Sequence, residues 1–204
     1  NNLKAAIAFK NSRLGIPILI AKEEIVKKKL HEIGYGENFD IEIINSTNEE
    51  LRKKYTKFLF KRLQRSEGLL ERDCDKLIRN DRVTFGACMV SCGDADAMVT
   101  GNTRRYSASL EKVSKVVDPR PGEIMFGLNM IVNRGKTIFI CDTTVIEYPD
   151  EKQLAEMAIS AARVVRLFGF DPKIAFLSHS TFGQPTTDRT KRISDAVELL
   201  KKKK

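Results

Sequence analysis

Ile16-Pro17-Ile18-Leu19-Ile20 is an unbroken apolar run of strand length, of the kind buried on both faces in a parallel sheet. Residues 21–33 follow with Ile25, Val26, Leu30 and Ile33 at helical spacing, and Gly34 and Gly36 stop the repeat. Residues 39–44 then alternate Phe39, Ile41 and Ile43 as a second strand. Strand, helix and strand in that order form a crossover unit, which sets two strands parallel with a helix over one face. The rest of the chain repeats this alternation.

Upstream, residues 3–12 read as a helix with Leu3, Ala6 and Ile7 on one face. Downstream, Ser46-Thr47-Asn48-Glu49 fits a capping box. The helix it opens runs to about Arg65, with Leu51, Tyr55, Phe58, Leu59 and Leu63 inward and Arg52, Lys53, Lys57, Lys61 and Arg62 outward. Residues 73–91 are predicted as one helix, residues 95–99 as a strand closing on Gly101, and residues 107–117 as a helix. Pro119-Arg120-Pro121-Gly122 is the clearest break, and it is taken as the boundary between a first α/β subdomain, 1–118, and a second, 119–204. The second half is predicted to hold strands at 124–132 and 137–141, a helix at 150–168, a strand at 173–177 and a last helix at 188–200. The expectation is an α/β protein with three α/β/α layers and a mostly parallel sheet.

The chain has 204 residues, 42% of them hydrophobic and 31% charged, an ordinary globular mix. No apolar run approaches the roughly 18 residues of a membrane span. Asn1-Asn2-Leu3-Lys4 opens no secretory signal and lacks Met, so a piece of a longer polypeptide is expected. Net charge is +9, and Lys201–Lys204 supply four of those charges. Elsewhere basic residues interleave with acids, and the motifs of nucleic-acid readers are missing, so nucleic acid is not expected as a partner. A basic surface also suits phosphates or coenzyme A. The cysteines, Cys74, Cys88, Cys92 and Cys141, form no C-x-x-C pair, and with no secretory signal they point to reduced thiols and a cytoplasmic location. His31 and His179 are the two histidines, so no metal site is expected here. The phosphate loop, the dinucleotide fingerprint, H-E-x-x-H and G-x-S-x-G are all absent.

Ligands in open α/β sheets bind beyond the carboxyl ends of strands. Three stretches qualify. Gly93-Asp94-Ala95-Asp96-Ala97-Met98-Val99-Thr100-Gly101 leads to Arg104-Arg105, a pair able to grip phosphate bidentately. Asp94 there either satisfies turn N–H groups or, with Asp96, lies near a ligand. Cys141-Asp142-Thr143-Thr144 ends a strand, and Asp142 either caps its loop or accepts a hydrogen bond from a ligand. Leu177-Ser178-His179-Ser180-Thr181-Phe182-Gly183 offers three hydroxyls before a helix, as a phosphate cradle or as a polar capping loop.

Taken in order, these segments resemble the phosphate acetyl/butyryltransferase family. The resemblance rests on Phe85-Gly86-Ala87-Cys88-Met89-Val90, the Gly93–Gly101 stretch, Asp142, Leu154-Ala155-Glu156-Met157-Ala158 and Ser178–Gly183. Within it, the chain is most similar to the phosphotransacetylase-like domain on the C-terminal side of large bacterial NADP-dependent malic enzymes. The resemblance implies two subdomains around a ligand cleft and a fold incomplete at both ends in this chain. It implies acetyl-CoA or CoA as ligand, phosphate as a possible one, and a homodimer or higher homo-oligomer. NADP and a divalent metal are implied only for the malic-enzyme part of a parent polypeptide. Ligand contacts are expected from Gly101, Arg104, Arg105, Ser107, Asp142, Thr143, Ser178, Ser180, Thr181 and Gly183.

The departures point away from catalysis. Active members show His-Ser-Thr-Ala-Asp after the family glycine, then an arginine for phosphate. Here the stretch is Arg104-Arg105-Tyr106-Ser107-Ala108, and the arginine position falls on Glu111, whose carboxylate repels phosphate. Thr143 stands where active members often have Cys. The expectation is an acetyl-CoA-binding regulatory and oligomerisation module. The alternative is an active phosphate acetyltransferase in which Arg104 or Arg105 takes over phosphate binding.

Overall fold

The apolar run at Ile16–Ile20 becomes a strand only over its last three residues, β1 (Ile18–Ile20). Pro17 has no N–H to give to a ladder, so pairing starts after it. β1 pairs parallel with β2 (Glu42–Ile44) in the register Ile18↔Glu42, Leu19↔Ile43, Ile20↔Ile44. This computed structural model describes residues 2–35, 41–101, 103–180 and 187–202. Phe39, expected to open the second strand, lies outside them. The described chain divides into two compact units, Asn1–Asp118 and Pro119–Lys204.

In the first unit, strand alternation sorts apolar side chains onto two faces. Ile18, Ile20 and Ile44 pack against a core of Tyr55, Leu59, Ile78, Phe85 and Cys88, all fully buried. That core comes from α3 (Glu49–Leu63), α4 (Glu71–Asn80) and α5 (Arg82–Ser91). Leu19 and Ile43 point the other way, against Ile7 of α1 (Asn2–Asn11), Ile41, and Val26 and Leu30 of α2 (Glu23–Glu32). Helices thus cover both faces of the parallel pair, as an α/β unit requires. The ring edge of Tyr55 meets Phe85 with centroids 5.0 Å apart. The last helix of this unit is α6 (Tyr106–Ser114).

The single helix expected over 73–91 is two. Asp81 sits extended at φ −126° and ψ 108° between α4 and α5. Its carboxylate accepts from the Val83 N–H at 2.8 Å and the Thr84 N–H at 3.4 Å. A short acidic side chain caps a helix better than it sits inside one, so the chain breaks there. The expected capping box at Ser46 and Glu49 also differs. Asn48 is the cap, accepting from the Leu51 N–H at 3.1 Å, and the Ser46 hydroxyl donates to the Arg79 carbonyl at 3.2 Å.

Gly86 lets α5 approach the sheet. A Cβ there would lie 2.6 Å from Met98 Sδ and 3.0 Å from Ile20 Cδ1. Gly86→Leu is expected to destabilise the fold by about 3 kcal/mol, the upper part of the overpacking range. Urea unfolding with an unchanged midpoint would remove this account of Gly86.

In the second unit, β3 (Asn129–Asn133) and β4 (Lys136–Ile140) form an antiparallel hairpin, centred on Ile131↔Ile138, not a parallel pair. Arg134 (φ 48°) and Gly135 (φ 76°) are both left-handed, the two-residue turn whose twist suits a hairpin. α7 (Glu151–Leu167) buries Ala155, Ala158, Ala161, Ala162 and Val165, and packs on α8 (Asp188–Lys202). Asp150 caps α7 in a box with Gln153, with bonds of 2.7 and 3.0 Å. The strands expected at 95–99 and 173–177 are not formed. Ala95 and Met98 still pack on the core of the first unit, while Val99 and Leu177 are exposed.

Candidate functional site

Asp94 follows α5 at the left-handed Gly93, and its N–H donates to the Met89 carbonyl at 2.8 Å. Its carboxylate accepts from Lys54 Nζ at 2.6 Å and from the Tyr55 hydroxyl at 2.8 Å. Those two bonds, Lys54 first, hold the Asp94 carboxyl below the usual carboxylate range. Burial, then Asp94, pushes the Tyr55 phenol up, so it stays a neutral donor. Asp94 therefore ties α3 to the turn after α5. Asp96 is exposed.

Arg104, Arg105 and Ser107 divide their roles. Arg104 donates to the Asp81 carboxylate at 3.0 and 3.2 Å, and Lys112 of α6 donates to the same group. Asp81 is only 6% exposed. Burial works against its ionisation, but Lys112, the Val83 N–H and Arg104 outweigh it, and the carboxyl lies below its ordinary range. Arg104 is thus committed within the protein. Arg105 occupies the N-cap position of α6 without a side-chain cap, and Ser107 is exposed in the first turn. Gly101 is exposed at φ +137°, with open space where a side chain would begin. Glu111 lies on the same helix, 3.8 Å from Lys115.

In the second unit, Asp142 is a loop organiser. Its Oδ1 accepts from the N–H groups of Gly127 and Thr144 at 2.9 Å and of Val145 at 3.2 Å, and Oδ2 accepts from Ile146 at 2.6 Å. Burial raises its proton affinity, but the four N–H donors outweigh it and lower the carboxyl below the usual range. The Thr143 N–H donates to the Gly127 carbonyl at 3.3 Å. A side chain at Gly127 would meet Thr143 Oγ1 and Thr144 Oγ1 at 2.7 Å, so glycine is what lets this loop close. Ser178 is exposed, its hydroxyl 3.2 Å from that of Ser180. Thr181 and Gly183 lie outside the described residues.

The thiols offer no nucleophile in the core. Burial pushes Cys88 up to about 12, and Cys74 and Cys92 move in the same direction for the same first reason. Among the described residues no group of three or more His, Cys, Asp or Glu side chains could hold a metal. No described helix is long and apolar enough to cross a membrane. The basic face of α3 is partly neutralised, with Arg52 on Asp75 at 3.0 Å, Lys54 on Asp94 and Arg62 on Asp118 at 2.5 Å.

Reasoning from sequence missed Asp81, Lys112 and the Lys54–Tyr55 pair. Asp81 was detectable in principle. An acid between Asn80 and Arg82, just before the largely apolar run that opens at Val83, is a capping signal. Lys54 and Tyr55 reach Asp94 across 40 and 39 residues, and no local pattern reports that.

The matching family model is "Phosphate acetyl/butaryl transferase", over residues 1–204. The chain is 39% identical over 203 residues to an NADP-dependent malic enzyme of Rhizobium meliloti (strain 1021), covering 99% of this chain and 26% of that protein. It is 37% identical over 199 residues to a probable NADP-dependent malic enzyme of Rickettsia prowazekii (strain Madrid E), covering 97% and 26%. The chain therefore spans about a quarter of the length of these curated relatives. Among solved structures, a phosphotransacetylase from Streptococcus pyogenes superposes with a TM-score of 0.83 at 25% identity, over 98% of this chain and 60% of that one. A model matched from end to end, with relatives this similar along nearly the whole chain, places the protein in the phosphate acetyl/butaryl transferase family.

Proposed function

We propose that the chain is an acetyl-CoA- or CoA-binding module of an NADP-dependent malic enzyme, which regulates that enzyme and supports its oligomerisation without transferring acyl groups itself. The parent would convert malate to pyruvate by oxidative decarboxylation in the cytoplasm. NADP and a divalent metal would belong to its malic-enzyme part. The observation that carries this reading is the similarity to NADP-dependent malic enzymes along 99% of the chain. Two features support the loss of transfer chemistry. Glu111 occupies the position where the resemblance implies an arginine, and Arg104 is held by the buried Asp81. Removing one preorganised donor from such a site costs about 10²–10³ in rate. A ligand that binds one quaternary state better than another is enough to regulate an attached enzyme.

The hairpin supports the oligomer. β3 is exposed along its whole length, and among the described residues it pairs only with β4. Its sequence, Asn129-Met130-Ile131-Val132-Asn133, reads nearly the same in both directions. Two copies meeting antiparallel about Ile131 would oppose Asn to Asn and apolar to apolar, as a two-fold interface demands.

The test is malic activity of the parent polypeptide against acetyl-CoA. Inhibition is expected in the native protein, and Ser178→Ala is expected to weaken it by about tenfold in half-inhibiting concentration. Inhibition unchanged by Ser178→Ala, or no inhibition at all, would overturn the reading. The second reading, an active phosphate acetyltransferase, draws on the likeness to the solved phosphotransacetylase.

A further inference from the structure

A second polar site lies at the carboxyl ends of the two parallel strands. β1 runs into Ala21 and Lys22, and β2 runs into Asn45, Ser46 and Thr47. The end of α4 and the start of α5 bring Arg79 and Arg82 to the same place. Together these residues line a cavity of about 330 Å³. That is the lower end of the size range of small-molecule sites, about 300–1,000 Å³.

The chemistry of the cavity is one-sided. Three of its lining residues, Lys22, Arg79 and Arg82, are cations, and no carboxylate lines it. All three are exposed, and among the described residues none is engaged in an ion pair. The acids beside these cations in sequence, Asp81 and Glu23, are paired elsewhere. Asp81 turns to Arg104 and Lys112, and Glu23 is held by Lys27 at 2.7 Å. The other lining side chains are neutral hydrogen-bonding groups or small.

The walls are also fixed in place. The Ala21 N–H donates to the Ile44 carbonyl at 3.0 Å, locking the two strand exits together. Ser46 Oγ donates to the Arg79 carbonyl at 3.2 Å, tying the loop after β2 to the end of α4. Asn45 Oδ1 accepts from the Thr47 N–H at 3.1 Å, which closes a turn in the loop that carries Thr47. Two guanidinium groups and an ammonium around a hydroxyl-bearing loop make a receptor for a doubly charged oxyanion. The strand-end position is where open parallel sheets place their ligands.

We propose that this cavity binds a phosphate or pyrophosphate group of a small ligand, gripped by Arg79 and Arg82 with Lys22 beside them. The inference uses none of the residues assigned to acetyl-CoA and holds whether or not that reading does. The phosphate could belong to coenzyme A or to a free phosphate metabolite, and the experiment separates the two.

The experiment is calorimetric titration of the full chain with inorganic pyrophosphate, in the native protein and in Arg79→Gln/Arg82→Gln. Both arginines are exposed and make no ion pair among the described residues, so the variant is expected to unfold at the native urea midpoint. Binding is expected in the native protein and should weaken at least about tenfold in the variant, with a shallower dependence on salt. Absence of binding in the native protein, or equal affinity in both proteins, would overturn the proposal. Coenzyme A and its 3′-dephospho form are then compared. CoA affinity that falls in the variant and on removing the 3′-phosphate identifies the cofactor as the source. Pyrophosphate affinity that falls in the variant while CoA affinity stays identifies a separate phosphate ligand. Either supports the site. Pyrophosphate binding retained alongside absent acetyl-CoA inhibition would reject the proposed function and leave this site standing.

Discussion

Asp142→Ala is expected to lower the stability of the second unit by about 3 kcal/mol, and Asp142→Asn by roughly half of that. The alanine leaves the N–H groups of Gly127, Thr144, Val145 and Ile146 without their acceptor. An orphaned buried donor costs about 1–3 kcal/mol, and water can reach the exposed Thr144, so the sum falls short of four full penalties. Asparagine keeps one oxygen for Oδ1's three donors but sets an amide N–H₂ or a lost acceptor against Ile146. The loop it holds carries Thr143, so acetyl-CoA affinity should fall with stability if this loop faces ligand. Urea unfolding of the three proteins checks the order. An alanine variant as stable as the native protein would mean that Asp142 does not hold the loop.

Asp81→Ala is expected to cost about 3 kcal/mol in the first unit. Two terms contribute. Losing the N-cap of α5 costs about 1 kcal/mol. The remainder comes from leaving Arg104 and Lys112 without their carboxylate; breaking a fully buried pair costs about 3–5 kcal/mol, and the side chains here are 39% and 34% exposed, which screens them. Asp81→Asn separates the terms, since asparagine caps as well as aspartate but carries no charge. The pH dependence has a definite sign. The folded carboxyl is depressed below its unfolded value of about 3.9. Its contribution is therefore fully present above pH of about 4 and is lost as pH falls through the lower folded value. Asp81→Asn should flatten that acid limb of the stability curve. An unchanged acid limb would show that Asp81 is not ionised against its partners in the fold.

The same two aspartates show what the sequence could tell and what it could not. The crossover was legible because Ile16–Ile20 and the Ile25–Ile33 repeat carry their periods locally. The two faces of the sheet followed from alternation alone, Ile18 and Ile20 on one side and Leu19 on the other. The helices α3, α7 and α8 were legible for the same reason. The segment 95–99 was misread because it has strand composition, and composition alone does not form a ladder. Residues 73–91 were misread because the apolar repeat carries across Asp81, while the break is made by one carboxylate capping the next helix.

At the candidate site, the structural bonds of the polar side chains were not legible in the sequence. Local sequence marked Asp94, Arg104 and Asp142 as polar groups at the ends of apolar segments, open to either a ligand or a structural bond. All three take structural bonds, to Lys54 and Tyr55, to Asp81, and to four backbone N–H groups. The partners lie 15 to 40 residues away, or in loop geometry that no residue pattern encodes. The cavity at Lys22, Arg79 and Arg82 was invisible for the same reason, since segments far apart in sequence line it and two of them supply its charge.

The proposed site holds acetyl-CoA without passing its acyl group to phosphate. The most direct measurement is one titration of the intact parent polypeptide with acetyl-CoA in phosphate buffer, reading bound ligand and released CoA thiol in the same sample. Saturable binding is expected, with thiol release no faster than in protein-free buffer. Thiol release that rises with protein and phosphate concentration would contradict this reading, and so would the absence of binding.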